Sequence, residues 1–262
     1  MNHQHTAHPQ APDTDDPIEF WENRYGEKHA IWSGRANRML VDTVADLPPG
    51  RALDLGCGEG GDAIWLAERG WAVTGVDISP TAVARATRAA TDRGLSADFR
   101  TVDLETWRTE ETFDLVTACF LQSPLTFGRA EVLRRAAGLV APGGHLLSVA
   151  HAAAPPWSGM AADPTMVFPT PAGDLAALAV GADWDVVIAE VRARPATGPD
   201  GQQATLDDSV VLVRRRALIP VDHGLGAVLT ESERPPAHDQ QRERRGPARA
   251  GQAGPRPDQV QA

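Results

Sequence analysis

LDLGCGEGG occupies residues 53–61. A short apolar stretch interrupted by Asp54 runs directly into glycines at 56, 58, 60 and 61. That is the pattern of a buried strand turning sharply into a helix. Glycine permits left-handed backbone and brings the main chain close to a ligand where a side chain would collide. Upstream, Pro48-Pro49-Gly50 stops whatever precedes, so RALDL at 51–55 is predicted to be a separate strand.

Downstream of this loop, helix-like and strand-like segments alternate. We expect a helix near 61–69, a strand at 71–77, a helix at 81–93 behind Ser79-Pro80, strands at 97–102 and 113–120, a helix at 129–140 and a strand at 144–150. Strands that are apolar on both faces, separated by helices, imply a parallel sheet covered on each side, so the fold class is α/β. Prolines 155, 156, 164, 169 and 171 break the segment 152–183 until a short helix near 173–180. WDVVIAEVRA at 184–193 and SVVLVRRRAL at 209–218 flank the turn-rich TGPDGQ and read as a hairpin.

Upstream, Phe20, Trp21 and Tyr25 follow Pro17-Ile18, and Met39, Leu40, Val44 and Leu47 recur at helical spacing within 35–46. Residues 17–47 are therefore expected to form a helical cap on a domain spanning 17–218. Residues 1–16 read as a disordered leader. The Pro/Gly/Arg/Gln-rich tail at 219–262 offers too little apolar surface to offset its ordering entropy. Its basic residues are interspersed with acidic ones, so it reads as solvated rather than as an anion-binding arm.

The chain has 262 residues, a formal net charge of −10, a hydrophobic content of 42% and a sequence pI near 5.2. That length suits one sizeable core with appendages. The acidic balance argues against nucleic acid, whose phosphates need clustered Lys and Arg. Cys57 and Cys119 form no CxxC pair and no zinc-ligand cluster, so both are expected to be reduced and structural. His3, His5 and His8 are irregularly placed in a polar leader, and no metal site is expected. With no basic–apolar leader and no apolar run of membrane-spanning length, the expectation is a cytoplasmic protein without membrane contact.

The glycine string also satisfies GxGxxG through Gly56, Gly58 and Gly61, which admits a dinucleotide. Asp54 separates the readings. A carboxylate two residues before the first glycine repels a pyrophosphate but suits a cation, such as the ammonium and sulfonium groups of S-adenosylmethionine. Asp77, closing the second strand, can accept both ribose hydroxyls, with Ile78 beside it; NAD would want the same carboxylate. Asp103 follows the third strand, where it can accept a hydrogen bond from the adenine amino group, and Leu104 can cover the ring. A nicotinamide oxidoreductase also lacks its usual Tyr-x-x-x-Lys constellation, the chain having one tyrosine, Tyr25.

With these residues in view, the chain resembles the class I S-adenosylmethionine-dependent methyltransferases, specifically the small bacterial group similar to tellurite-resistance and thiopurine methyltransferase-like proteins. The resemblance covers about residues 18–217. It rests on LDLGCGEGGDAIWLAERGWAVTGVDIS at 53–79, VDL at 102–104, FDLVTACFLQSP at 113–124 and LVAPGGHLLSVAH at 139–151. It implies a Rossmann-like, seven-stranded, mostly parallel sheet of order 3-2-1-4-5-7-6, with the last inserted strand antiparallel. It also implies a cap closing over the cofactor through Trp21, Tyr25, Trp32, Ser33, Gly34 and Asn37. Trp21 and Tyr25 are read as packing residues. Trp32 is the cofactor candidate, because a π-face near a sulfonium contributes roughly 0.5–2 kcal/mol.

The cofactor set is thus Trp32, Asp54, Gly56, Cys57, Gly58, Gly60, Asp77, Ile78, Asp103, Leu104 and Phe120. Phe120, Leu121 and Gln122 end the fourth strand, at the sheet edge where open α/β folds bind ligands. Similar sequences often carry His near Gln122, and glutamine is a poor base. His151 ends the fifth strand on the same edge and is the second catalytic candidate, either as a base or as an orienting hydrogen-bond partner. Pro155, Pro156 and Trp157 belong to a substrate lid or to surface packing. Asp114 is expected to anchor a loop or cap a neighbouring backbone donor, Gly143-Gly144 to turn a helix into the fifth strand, and Arg214–Arg216 to lie on an exposed edge. The expected activity is methyl transfer to a small acceptor, a thiol, metalloid or small hydroxylated or aromatic compound, mainly by proximity and orientation. The expected assembly is a monomer or weak dimer. A non-catalytic S-adenosylmethionine-binding protein is the alternative.

Overall fold

A computed structural model describes residues 14–27, 30–158, 167–198 and 200–217. Residues 1–13 of the leader expected at 1–16, and the tail expected at 219–262, lie outside the described residues. The chain order is α1 (Pro17–Gly26), α2 (Arg38–Val44), β1 (Arg51–Leu55), α3 (Gly61–Ala67), β2 (Ala72–Asp77), α4 (Pro80–Thr91), β3 (Ala97–Thr101), β4 (Phe113–Cys119), α5 (Arg129–Gly138), β5 (Val140–His151), α6 (Pro171–Leu178), β6 (Trp184–Thr197) and β7 (Gln203–Arg215).

The seven strands form one sheet of order β3-β2-β1-β4-β5-β7-β6. β1 to β5 pair in parallel, whereas β7 runs antiparallel to both β5 and β6. Alternation of side chains along each strand divides the core in two. Leu53, Leu55, Val116 and Leu146 face α5 and α6 with Val132, Leu133 and Leu178. Ala52, Leu115, Leu147 and Val149 face the other way, with Met39, Leu40, Val44 and Leu66 from α2 and α3. Asp54 shares the parity of Ala52, so its side chain lies on the α2–α3 side.

Helix ends follow local chemistry. Asp16 Oδ1 accepts the backbone N–H groups of Ile18 and Glu19 at 2.8 and 3.2 Å, with Pro17 in the first turn. Thr14 and Asp16, expected in the leader, thus belong to the N-terminal cap of α1. Ser79 caps α4 by accepting from Ala82 N at 3.1 Å.

Two expectations fail. Gly143-Gly144 lies within β5: Val140 already pairs with Phe113, and the glycines form the irregularity before pairing resumes at His145↔Leu115. Gly143 adopts φ +87°, and a Cβ on Gly144 would stand 2.9 Å from the Asp114 carbonyl oxygen. Arg214 and Arg215 are not on a sheet edge, because β7 is sandwiched between β5 and β6; Arg215 Nη1 donates to the Val140 carbonyl at 2.7 Å, and Arg216 just beyond the strand pairs with Asp185. Asp114 behaves as expected, its Oδ2 accepting from Arg51 N at 2.8 Å.

Candidate functional site

The glycine loop leaves β1 in left-handed backbone at Gly56, Gly58 and Gly60, with φ of +69°, +51° and +83°. Val76 O receives the amides of both Gly56 and Cys57, at 2.8 and 3.0 Å, which binds the loop to the end of β2. Asp77, 6% exposed, completes that tie: Oδ2 accepts from Gly58 N at 2.8 Å and Oδ1 from Ser79 N at 2.9 Å. Burial pushes its carboxyl above the usual range, against the pull of these backbone donors. Ile78 is half-buried beside it, and Cys57 is buried, its thiol pushed well up by burial and by Asp54 and Asp77. Gly60 admits no side chain, since a Cβ there would meet Ala86 Cβ of α4 at 2.9 Å.

Beneath the loop lies a pair of carboxylates of which only one is legible as a motif. Asp54, 3% exposed, accepts the Thr117 hydroxyl at 2.8 Å. Burial, then Asp62 and Asp77, raise its carboxyl well above the usual range. Asp62, in the first turn of α3, is raised by burial, while the Asn37 amide, donating at 2.6 Å, and the Cys119 thiol favour its charged form. Asn37 itself caps α2 through Oδ1, and its Nδ2 is a buried donor without a partner among the described residues.

The cap is fastened over the loop by charge. Glu59 accepts the amides of Ile31 and Trp32 at 3.1 and 3.0 Å and pairs with Arg85 at 2.8 Å. Glu22 of α1 accepts from the hydroxyl of Ser79 and from Thr81 N at the start of α4. Tyr25 is 4% exposed, and its hydroxyl receives Trp32 Nε1 at 3.2 Å; burial and the nearby Asp77 push its phenol well up, so it stays protonated. A Cβ on Gly58 would lie 2.9 Å from the Tyr25 oxygen and 3.4 Å from Trp32 Nε1. Tyr25, read from sequence as cap packing alone, therefore stands directly above the glycine loop together with Trp32.

Two cofactor candidates are placed differently. Asp103 spends its carboxylate locally, accepting Glu105 N at 2.9 Å and the Thr106 hydroxyl at 3.1 Å. Leu104 is 8% exposed, packs in the core cluster with Leu55 and Val132, and lines a 270 Å³ cavity together with Trp107 and residues of α5. Periodicity marked the end of β3 but carried no information about this turn.

At the ends of β4 and β5 a second cluster forms. Phe120 takes the left-handed conformation at φ +53°, unusual for a bulky residue. Its ring stacks on His151 with centroids 4.3 Å apart, and a Cβ on Gly56 would touch Leu121 Cδ1 at 2.7 Å, so the cluster adjoins the glycine loop. Gln122 Oε1 accepts from His151 N at 2.9 Å, which ties it to the end of β5. His151 Nδ1 lies 3.2 Å from Asp208 Oδ1, and Arg194 Nε donates to Asp208 Oδ2 at 2.5 Å. Asp208 and Arg194 escaped sequence analysis; the antiparallel register His151↔Asp208 places the carboxylate there. Arg129 underpins the turn, donating to Leu121 O at 3.0 Å and bridging Asp174 at 2.5 and 2.9 Å. Trp157 packs over Gly198 in the β6–β7 turn. Among the described residues no group of His, Cys, Asp or Glu could hold a metal, and no helix is long and apolar enough to cross a membrane.

Residues 52–144 match the family model of the methyltransferase domain. Thiocyanate methyltransferase 1 of Arabidopsis thaliana is 39% identical over 101 residues, 37% of this chain and 44% of that protein. Probable thiol methyltransferase 2 of the same plant is 36% identical over 135 residues, 49% of this chain and 60% of that protein. The chain spans about half the length of these curated relatives. A protein solved in work on the conversion of a disulfide bond into a thioacetal group during echinomycin biosynthesis superposes with a TM-score of 0.59 at 26% identity, over 77% of this chain and 94% of that one.

Sheet order and superposition together give the Rossmann-like fold of the class I methyltransferases, and the segment 52–144 that carries the glycine loop is similar to their methyltransferase domain. Within that class, the curated relatives named above are thiocyanate and thiol methyltransferases.

Proposed function

We propose that this protein transfers the methyl group of S-adenosylmethionine to a small sulfur nucleophile. The observation that carries the cofactor half is the buried pair Asp54 and Asp62, two carboxylates on the α2–α3 side of the glycine loop whose charged forms are penalised until a cation reaches them. An ammonium group supplies that cation, and the unpartnered Asn37 Nδ2 suits the neighbouring carboxylate of an amino-acid moiety. Asp77 and Ile78 suit a ribose and the face of a base, and Trp32 suits a sulfonium. A dinucleotide pyrophosphate fits the same acids poorly.

When bound, S-adenosylmethionine supplies an activated methyl carbon; the protein binds, orients and excludes water. Phe120, His151 and the turn braced by Arg129 set the acceptor against the glycine loop, and near-attack alignment of this kind accounts for roughly 7–11 kcal/mol in favourable intramolecular cases. The thiocyanate and thiol methyltransferase relatives support a small sulfur compound as the acceptor. In this reading the working unit is residues 17–218, acting in the cytoplasm as a monomer or weak dimer, with no nucleic-acid or membrane partner.

The test is calorimetric titration with S-adenosylmethionine, S-adenosylhomocysteine and NADH, followed by turnover with a panel of small thiols and thiocyanate. Binding of both sulfur compounds, absent for NADH, together with thiol methylation supports the reading. Binding without turnover on any acceptor turns the assignment to a cofactor-binding protein, and NADH binding overturns it.

A further inference from the structure

His151 is held at every point except one ring nitrogen. Gln122 Oε1 takes its backbone N–H, Phe120 fixes the ring plane, and Asp208 Oδ1 stands 3.2 Å from Nδ1. Asp208 is fully buried at 0% exposure, and its second oxygen receives Arg194 Nε. A carboxylate paired with a guanidinium only accepts hydrogen bonds, so the imidazole nitrogen facing it must carry the proton. Nε2 keeps its lone pair and has no hydrogen-bond partner among the described residues. Two expensive features maintain this arrangement: a carboxylate wholly removed from water, and a left-handed Phe120.

We infer that His151 accepts the proton of an un-ionised thiol and that Asp208, held by Arg194, is the positioning residue that sets its tautomer. The inference rests on the methyl-transfer reading above and narrows the acceptor to nucleophiles that bring a proton. His151 Nε2 takes the proton from S–H while that sulfur's electron pair forms the new C–S bond to the methyl carbon. The old bond between that carbon and the sulfonium breaks, and its electron pair stays on the departing sulfur as a neutral thioether. The imidazolium left behind is stabilised by the Asp208 carboxylate and returns its proton to water. Arg194 also rests against Phe120, with its Cζ 5.6 Å from the ring centroid, so one side chain braces both the carboxylate and the residue stacked on the base.

The experiment uses the full chain with S-adenosylmethionine and two acceptors: 2-mercaptoethanol, un-ionised at neutral pH, and thiocyanate, an anion with no proton to lose. His151→Gln and Asp208→Asn are expected to lower kcat for the thiol relative to thiocyanate by about 10²-fold, with the KM for the thiol little changed. Nitrogen-15 NMR of the ligand-free protein is expected to show the His151 ring protonated on Nδ1, a bias that Asp208→Asn removes. Thermal melting identifies a variant that has lost its fold, in which case the remaining variant and the wild-type tautomer decide. Equal losses on both acceptors, a wild type that turns over thiocyanate alone, or an Nε2–H tautomer overturns the inference and leaves the methyl-transfer reading standing. A wild type that methylates neither acceptor overturns both.

Discussion

The Gly58 amide donates to Asp77 Oδ2 at 2.8 Å, so the carboxylate that we propose receives a ribose also holds the middle of the glycine loop in its left-handed form. With Ser79 N on its other oxygen, Asp77 couples the ends of β1 and β2 to the start of α4. In the proposed function, loop shape and ligand recognition therefore depend on one side chain.

Asp77→Asn retains the volume but replaces one accepting oxygen with a donor facing a backbone N–H. Hydrogen bonds to charged groups contribute about 1.5–3 kcal/mol, so affinity for S-adenosylhomocysteine should fall roughly 10- to 100-fold. Calorimetry that returns the wild-type Kd would remove Asp77 from the binding site.

Asp54→Asn should stabilise the ligand-free protein while weakening cofactor binding. Burial raises the Asp54 carboxyl in the fold, so the folded state keeps a proton that the unfolded chain has lost. The stability associated with that proton is whole below the ordinary carboxylate value of 3.8 and declines as pH rises through the shifted range. The melting-temperature advantage of the variant is accordingly smallest near pH 4 and widens toward neutrality, by about 2–4 °C for each kcal/mol. Melting curves showing a gap independent of pH, or a less stable variant at neutral pH, contradict this.

Gly58→Ala and Gly60→Ala separate two roles of the same loop. Both place a side chain in left-handed backbone at a cost of about 1–2 kcal/mol. At Gly60 the new Cβ also meets Ala86 Cβ at 2.9 Å and its Cα at 3.3 Å, which cannot swing aside, so Gly60→Ala should lose more stability. At Gly58 the obstacle is the Tyr25 hydroxyl, which moves with the cap, and cofactor affinity should suffer more. Paired denaturation and titration measurements decide between this ordering and its reverse.

Arg129→Met leaves Asp174, 2% exposed, as an uncompensated buried carboxylate. Breaking such a pair costs about 3–5 kcal/mol, which lowers the melting temperature on the order of 10 °C. Because Arg129 also holds Leu121 O, hydrogen exchange in the 120–122 turn should accelerate beyond what the change in global stability accounts for. A variant melting within a degree or two of wild type means that this bridge carries little of the fold.

Local sequence was informative where one residue type was required by its own backbone. Gly56, Gly58 and Gly60 announce left-handed turns, and Ser79-Pro80 announces a helix start. The Pro/Gly-rich 197–202 announces a hairpin, although the strands around it extend farther than the apolar alternation indicated, to Trp184–Thr197 and Gln203–Arg215. Asp54 and Asp77 could be singled out because their distance from the glycines fixes where they emerge from the sheet. Asp103 and Leu104 depend on the turn after β3, whose local partners the strand pattern does not specify. Position after a strand says nothing about whether a carboxylate is consumed by the next turn or a leucine by the core.

What the sequence determined by itself was the alternation of elements, the glycine loop and the two carboxylates that flank it, because each is a short-range consequence of backbone sterics or side-chain periodicity. The tertiary structure alone decided that Asp62 shares the burial of Asp54, that Tyr25 stands over Gly58, and that Asp208 and Arg194 orient His151. His151 and Asp208 meet only because β7 turns back antiparallel beside β5 in one particular register. That register is set by which apolar face of the hairpin the core accepts, and a shift of one residue would carry Asp208 to the opposite face of the sheet.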